Sequence, residues 1–149
     1  MMQPNITAEI SITISADMKA VWQALINPDM VQQYFFGCRL STTWEPGTPI
    51  VFSGEWNGKT YEDKGIILAF NSDEMLQYTY KSGMSDTEDL PENYSTITYR
   101  IGGENGHVTV TVIQENIPDL KTRDLAIENW TLVLGNLKKL LEANDIMGT

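Results

Sequence analysis

Hydrophobic and polar positions along this chain repeat with two different periods. Residues 6–14 alternate, with Ile6, Ala8, Ile10, Ile12 and Ile14 set against Thr7, Glu9, Ser11 and Thr13. A period of two predicts a half-buried strand. Near the other end, Ala126, Trp130, Val133, Leu134, Leu137, Leu140 and Leu141 recur at three-and-four spacing. That spacing predicts one long amphipathic helix over Asp119 to Asn144. Asp119 or Thr122 supplies the N-cap oxygen, and Asp124 suits the first turn. Lys138 and Lys139 fall near the expected C-terminal end, where cations favour the helix dipole. From Thr122 to Ala143 the helix spans roughly 33 Å at about 1.5 Å per residue.

Between these two elements the pattern changes several times. Ser15 is placed to cap a short helix with Asp17 in its first turn, and Met18, Val21, Trp22 and Leu25 form its apolar face. Asn27-Pro28 ends that helix and starts a second, with Asn27 as cap and Pro28 at the first helical position. Val31, Tyr34 and Phe35 form the second face, and Gly37 can close it. Strands then follow over Leu40–Trp44, Ile50–Trp56, Tyr61–Phe70, Met75–Lys81, Tyr94–Ile101 and His107–Ile113. Turns at Pro46-Gly47, Asn57-Gly58, Asn71–Glu74 and Gly102–Gly106 separate most of them. From Ile66 onward the third of these is apolar on both faces, which predicts two-sided burial or a bulge near Gly65. Ser82–Asn93, rich in acidic residues, reads as an exposed mobile loop. Gly135, inside the long helix, costs about 1 kcal/mol relative to Ala. It lies near the polar flank, where close packing or chance accounts for it.

Strands joined by hairpins, with helices segregated at the two ends, make an α+β fold. A long helix with a broad apolar face needs an equally long partner surface, which a curved antiparallel sheet can supply. A twisted sheet gripping one helix leaves a wedge between them, and the short helices can close one end of it. Such a wedge is a natural ligand cavity. With 149 residues and no repeat or linker, a single domain over 1–149 is expected.

Charge narrows the partners. The net charge is −10, from 20 acidic and 10 basic residues. That balance argues against phosphate-backbone binding and against anionic membrane surfaces, so neither nucleic acid nor membrane is an expected partner. Solubility explains the acidity, and a basic protein partner is the sharper alternative. There is no signal-peptide pattern and no apolar run long enough for a membrane span. The single cysteine, Cys38, excludes an internal disulfide, so cytoplasmic residence is the default.

Catalytic chemistry is sparse. No phosphate-binding glycine loop appears, because Gly102–Gly106 lies between two strands. No metal motif appears either, and no cofactor is expected. His107, the single histidine, sits at the strand edge of a turn and reads as structural or solvated. Cys38 has only Arg39 beside it and reads as a passive thiol. Glu62 and Asp63 point to opposite faces of one strand and cannot share a proton. Asp86, Glu88 and Asp89 lack the spacing of a calcium loop.

The aromatic residues are more informative. Phe52 and Trp56 share one strand face, Tyr78 and Tyr80 share another, and Trp130 and Leu134 lie one turn apart. These six are expected to line the wedge, with Phe35 and Phe36 covering its end. Most aromatic residues must be ordinary core, but Trp and Tyr carry polar handles that need partners when buried.

The order of elements also resembles a known family. The segment VWQALINPDMVQQYF (Val21 to Phe35), the WNG hairpin and the closing NWTLVLGNLKKLLE (Asn129 to Glu142) look like the START-like, helix-grip (SRPBCC) superfamily. Within it the chain is similar to the branch of the activator of 90-kDa heat-shock protein ATPase. That branch shows a Trp in the first helix, a Pro starting the second, an aromatic pair ending it, and a Trp followed by Leu-rich turns in the last helix. Here these are Trp22, Pro28, Tyr34 with Phe35, and Trp130 with Leu134, Leu137 and Leu141. The eukaryotic activator's separate N-terminal domain has no counterpart in this chain. The resemblance implies the fold and leaves several functions open. The leading expectation is non-catalytic binding of a small hydrophobic or aromatic ligand between sheet and long helix. The alternatives are a module engaging a chaperone or other protein partner, and an enzyme of the cyclase or hydrolase kind using the same cavity.

Overall fold

In the computed structural model the chain is described over residues 6–56, 58–83 and 88–148; the side chains of Trp56 and of 144–148 lie outside that description. Seven strands form one antiparallel curved sheet in the order β1-β7-β6-β5-β4-β3-β2. They are β1 (Ile6–Ile14), β2 (Arg39–Thr42), β3 (Pro49–Trp56), β4 (Lys59–Asn71), β5 (Met75–Tyr80), β6 (Ser95–Glu104) and β7 (His107–Ile117). Two short helices, α1 (Met18–Ile26) and α2 (Pro28–Tyr34), follow β1, and the long α3 (Leu120–Gly148) closes the chain. Every connection from β2 to β7 is a hairpin between sheet neighbours; β1 reaches its place only by pairing with β7. The expected α+β helix-grip architecture is therefore the one observed.

Apolar alternation decides which sheet face meets the helix. Ile50 and Phe52 on β3, Ile67 on β4, Leu76 and Tyr78 on β5, Ile97 and Tyr99 on β6, and Val108, Val110 and Val112 on β7 are all buried. They join Val21, Trp22 and Leu25 of α1, Val31 and Tyr34 of α2, and Val133, Leu134, Leu137 and Leu141 of α3 in one core. Helix α3 packs chiefly against β1, so it covers one side of the sheet more closely than the other.

Several local expectations give way to longer-range contacts. Ser15 does not cap α1; its amide donates to Glu142 of α3 at 2.9 Å. The amide of Met18 is capped instead by Asn105 Oδ1, from the β6–β7 turn, at 2.8 Å. Asn27 does cap α2, accepting from the Asp29 amide at 2.9 Å. Of the two N-caps open for α3, Asp119 takes the position and accepts from the Thr122 amide at 2.7 Å. Helix α3 runs past Asn144, so Lys138 is not at its end. Lys138 instead donates to the Thr13 carbonyl at 2.9 Å and pairs with Glu142 at 2.6 Å, pinning the helix to the end of β1.

Two-sided burial of β4 does not occur, because Ile66 and Leu68 face outward and are exposed. The irregularity there is a bulge between Ile67 and Ala69. Gly65 answers a different need: a Cβ on it would stand 1.6 Å from the Thr79 carbonyl oxygen of the neighbouring strand. The Ser82–Asn93 stretch is tied down at both ends. Gly83 donates its amide to Asp63, and Pro91–Asn93 forms a 3₁₀ turn. Residues 84–87, including Asp86, lie outside the described residues.

Candidate functional site

Between the N-terminal half of α3 and strands β3–β6 lies a cavity of about 570 Å³, partly open to solvent. Its size falls within the roughly 300–1,000 Å³ of small-molecule sites. It exists because α3 rests on β1 while the curved sheet bends away from it across β5, β4 and β3. The C-terminal half of α3 packs into the core, and the half from Thr122 to Val133 lines the gap. Behind Phe35 and Phe52 the core is filled, with only about 10 Å³ left between Leu25, Tyr34, Trp44 and Tyr99.

Six of the eight expected residues are brought together on this cavity: Phe35, Phe36, Phe52, Tyr78, Tyr80 and Trp130. Their rings form a continuous wall. Phe52 lies 6.0 Å from Tyr80 and 5.6 Å from Tyr78, between ring centroids. Phe35 stacks on Phe52 at 6.2 Å and meets Trp130 edge-on at 5.7 Å. Phe36, half exposed, extends the wall to the mouth and holds a left-handed backbone at φ 54°. Leu134 does not line the cavity: it is fully buried on the packed flank of α3. One helical turn rotates it away from Trp130 because 3.6 residues make a turn and four overshoot it. Trp56 ends β3, and its side chain lies outside the described residues.

Sequence reasoning missed the polar patch of the lining. Asp63, inward-facing on β4, sits directly across from Phe52 on β3. It is 9% exposed, and it lines the cavity. Its Oδ2 accepts from the Tyr80 hydroxyl at 2.6 Å and its Oδ1 from the Gly83 amide at 2.8 Å. Cys38 and Tyr61 stand beside it. Burial pushes the Cys38 thiol up, with the Tyr61 hydroxyl and the Asp63 carboxylate as its near neighbours. Burial, then the field of Cys38, raises the Tyr61 hydroxyl to about 12. The Tyr78 and Tyr80 hydroxyls are held above the usual phenol range by burial; for Tyr80 the Asp63 carboxylate adds to it. The alternation of β4 carried the signal for Asp63, since it puts Asp63 and Ile67 on the same face.

Polar handles beside the cavity are satisfied within the protein, whereas the buried Trp22 Nε1, in the core away from it, has no partner among the described residues. Trp130 Nε1 donates to Gln114 Oε1 at 2.9 Å, and the Tyr78 and Tyr99 hydroxyls meet at 3.3 Å. At the mouth, Leu125 and Leu132 are each 52% exposed. They stand seven residues apart, off the main apolar stripe, and that leftover pair was their only trace in the sequence. His107 is exposed on the β6–β7 hairpin and does not reach the cavity. Glu62 faces outward, opposite in sense to Asp63. Asp89 is occupied by Lys64 and Tyr94. Among the described residues no His, Cys, Asp and Glu cluster could hold a metal ion.

The family model for activator of Hsp90 ATPase homolog 1-like protein matches residues 15–142. The chain belongs to this family. The solution structure of a Cytophaga hutchinsonii protein is 38% identical, with a TM-score of 0.82 over 96% of this chain and 98% of that one. The Aha1 dimer from Colwellia psychrerythraea is 16% identical, with a TM-score of 0.71 over 92% and 96%. A Mesorhizobium loti protein is 19% identical, with a TM-score of 0.75 over 93% and 98%. No protein of curated function matches the chain by sequence. Family and fold are those of a ligand-binding or interaction module. No helix among the described residues is long and apolar enough to cross a membrane.

Proposed function

We propose that this chain acts as a single cytoplasmic START-like domain that binds a small hydrophobic or aromatic ligand between its sheet and α3, without catalysis. One observation carries the reading: a pre-formed cavity of about 570 Å³, walled by aromatic rings and partly open to solvent. Such cavities bury most of a small molecule's surface, and the few polar groups orient it. Phe35, Phe52, Tyr78, Tyr80 and Trp130 supply the wall, and Phe36, Leu125 and Leu132 form an apolar rim that a ligand must pass. That exposed rim also favours a second reading, a seat for a protein partner of the chaperone kind.

Titration with an environment-sensitive apolar dye separates the two. Wild type is expected to bind the dye saturably. Ala126→Trp, which puts a large ring into the cavity from α3, is expected to abolish binding while circular dichroism stays native. Equal binding by both folded proteins would place the dye on the surface and leave the interaction module as the better reading.

A further inference from the structure

We propose that the cavity selects a hydrophobic or aromatic amine, its ammonium group seated on Asp63. This rests on the cavity being a ligand site and names the chemistry it prefers.

The polar part of the cavity lining is a one-sided charge environment. Among the described residues that line it, Asp63 and Glu55 are acidic and none is Lys, Arg or His. The described ion pairs lie elsewhere: Lys64 with Asp89, Arg123 with Asp124, and Lys138 with Glu142. Lys64 is the strand neighbour of Asp63, but alternation turns it to the outer face, where it meets Asp89. A carboxylate removed from water is costly unless a cation or several donors meet it. Among the described residues Asp63 has two donors, the Tyr80 hydroxyl and the Gly83 amide, one on each oxygen. A carboxylate offers about four acceptor positions, so each oxygen keeps one for a ligand. Tyr80 Oη gives its proton to Asp63 and keeps its own lone pairs for a second ammonium proton.

The walls suit the same group. Next to Asp63, the Phe52 ring stands 6.0 Å from that of Tyr80 and 5.6 Å from that of Tyr78, between centroids. Aromatic faces attract ammonium ions, more strongly where water is excluded. Beyond them Phe35 and Trp130 provide an apolar channel for the rest of the molecule. A net charge of −10 draws cations toward the protein from solution. The same features work against fatty acids and phosphate esters, which would bring a second negative charge to Asp63 with no cation among the described lining residues to meet it.

The test is isothermal titration of the full chain with three probes of one shape: naphthylmethylamine, naphthylmethanol and naphthoate. The amine is expected to bind at least about tenfold tighter than the alcohol, the ratio one charge-assisted hydrogen bond supplies. Naphthoate is expected to bind more weakly than either. In Asp63→Asn, checked by circular dichroism, the amine should lose its advantage over the alcohol. Equal affinity for all three probes, or preference for naphthoate, would overturn the amine assignment while leaving the cavity as a ligand site. Failure of all three probes together with failure of the apolar dye would overturn the cavity reading itself. If Asp63→Asn does not fold, the wild-type ranking of the three probes decides alone.

Discussion

Trp130 is the residue where burial, hydrogen bonding and the cavity meet. Its ring touches Phe35 and Tyr99 edge-on, and its Nε1–H is satisfied by Gln114. Trp130→Ala is therefore expected to cost about 3–5 kcal/mol, read as a fall in the chemical denaturation midpoint. An unchanged midpoint would refute this packing. Gly135 gives a prediction of opposite sign. Nothing lies within 4 Å of where its Cβ would be, so close packing does not explain it. Gly135→Ala should stabilise the protein by about 1 kcal/mol in the same assay, through helix propensity alone. The sequence exposed Trp130 because a large ring at helical spacing belongs to the core. It concealed Asp63, because one acidic residue in a strand looks the same whether it faces water or a cavity.

At the scale of elements, ends are settled by distant partners. Helix α1 has no side-chain cap of its own, and Asn105 of the β6–β7 turn takes the role. Asn105→Ala is expected to cost about 0.5–2 kcal/mol, the range for losing an N-cap, measured by thermal or urea unfolding. A local cap would make that substitution silent. The loop after β5 is anchored in the same manner. The Gly83 amide, bonded to Asp63 at 2.8 Å, should exchange slowly with deuterium, unlike the amide of an open loop. Rapid exchange at Gly83 would show that this anchor does not hold. Neither contact was legible in the sequence, since 87 positions separate Met18 from Asn105 and 20 separate Asp63 from Gly83.

For the whole molecule, buried phenols set the response to alkali. Burial raises the hydroxyls of Tyr34, Tyr78, Tyr80 and Tyr99 above the ordinary value near 10, and Tyr61 to about 12. The folded state thus keeps protons that the unfolded chain releases above pH about 10. Stability from these groups is complete below that pH and is lost as pH rises through the folded values, about 12 for Tyr61. Phenolate absorbance and loss of circular dichroism should accordingly rise together in an alkaline titration. Ionisation of all six tyrosines near pH 10, before unfolding, would overturn the burial of the aromatic wall.

What the sequence determined by itself was periodicity. A period of two in β1 and β7 and a period near 3.6 in α3 specified which faces must be buried, and hairpin turns specified which strands pair. From these the helix-grip fold followed, since a long apolar stripe and a curved sheet have few other ways to exclude water. Those faces also assembled Phe35, Phe52, Tyr78, Tyr80 and Trp130 on one side. Only the tertiary structure decided where that side opens. Helix α3 rests on β1, and the sheet bends away from it toward β3, so Trp130 meets the gap while Leu134, four residues on, is sealed in the core. The polar floor of Asp63, Tyr80 and Gly83 depends on the same curvature. Its three parts come from β4, β5 and the loop beyond, and no spacing along the chain marks a meeting that packing across strands creates.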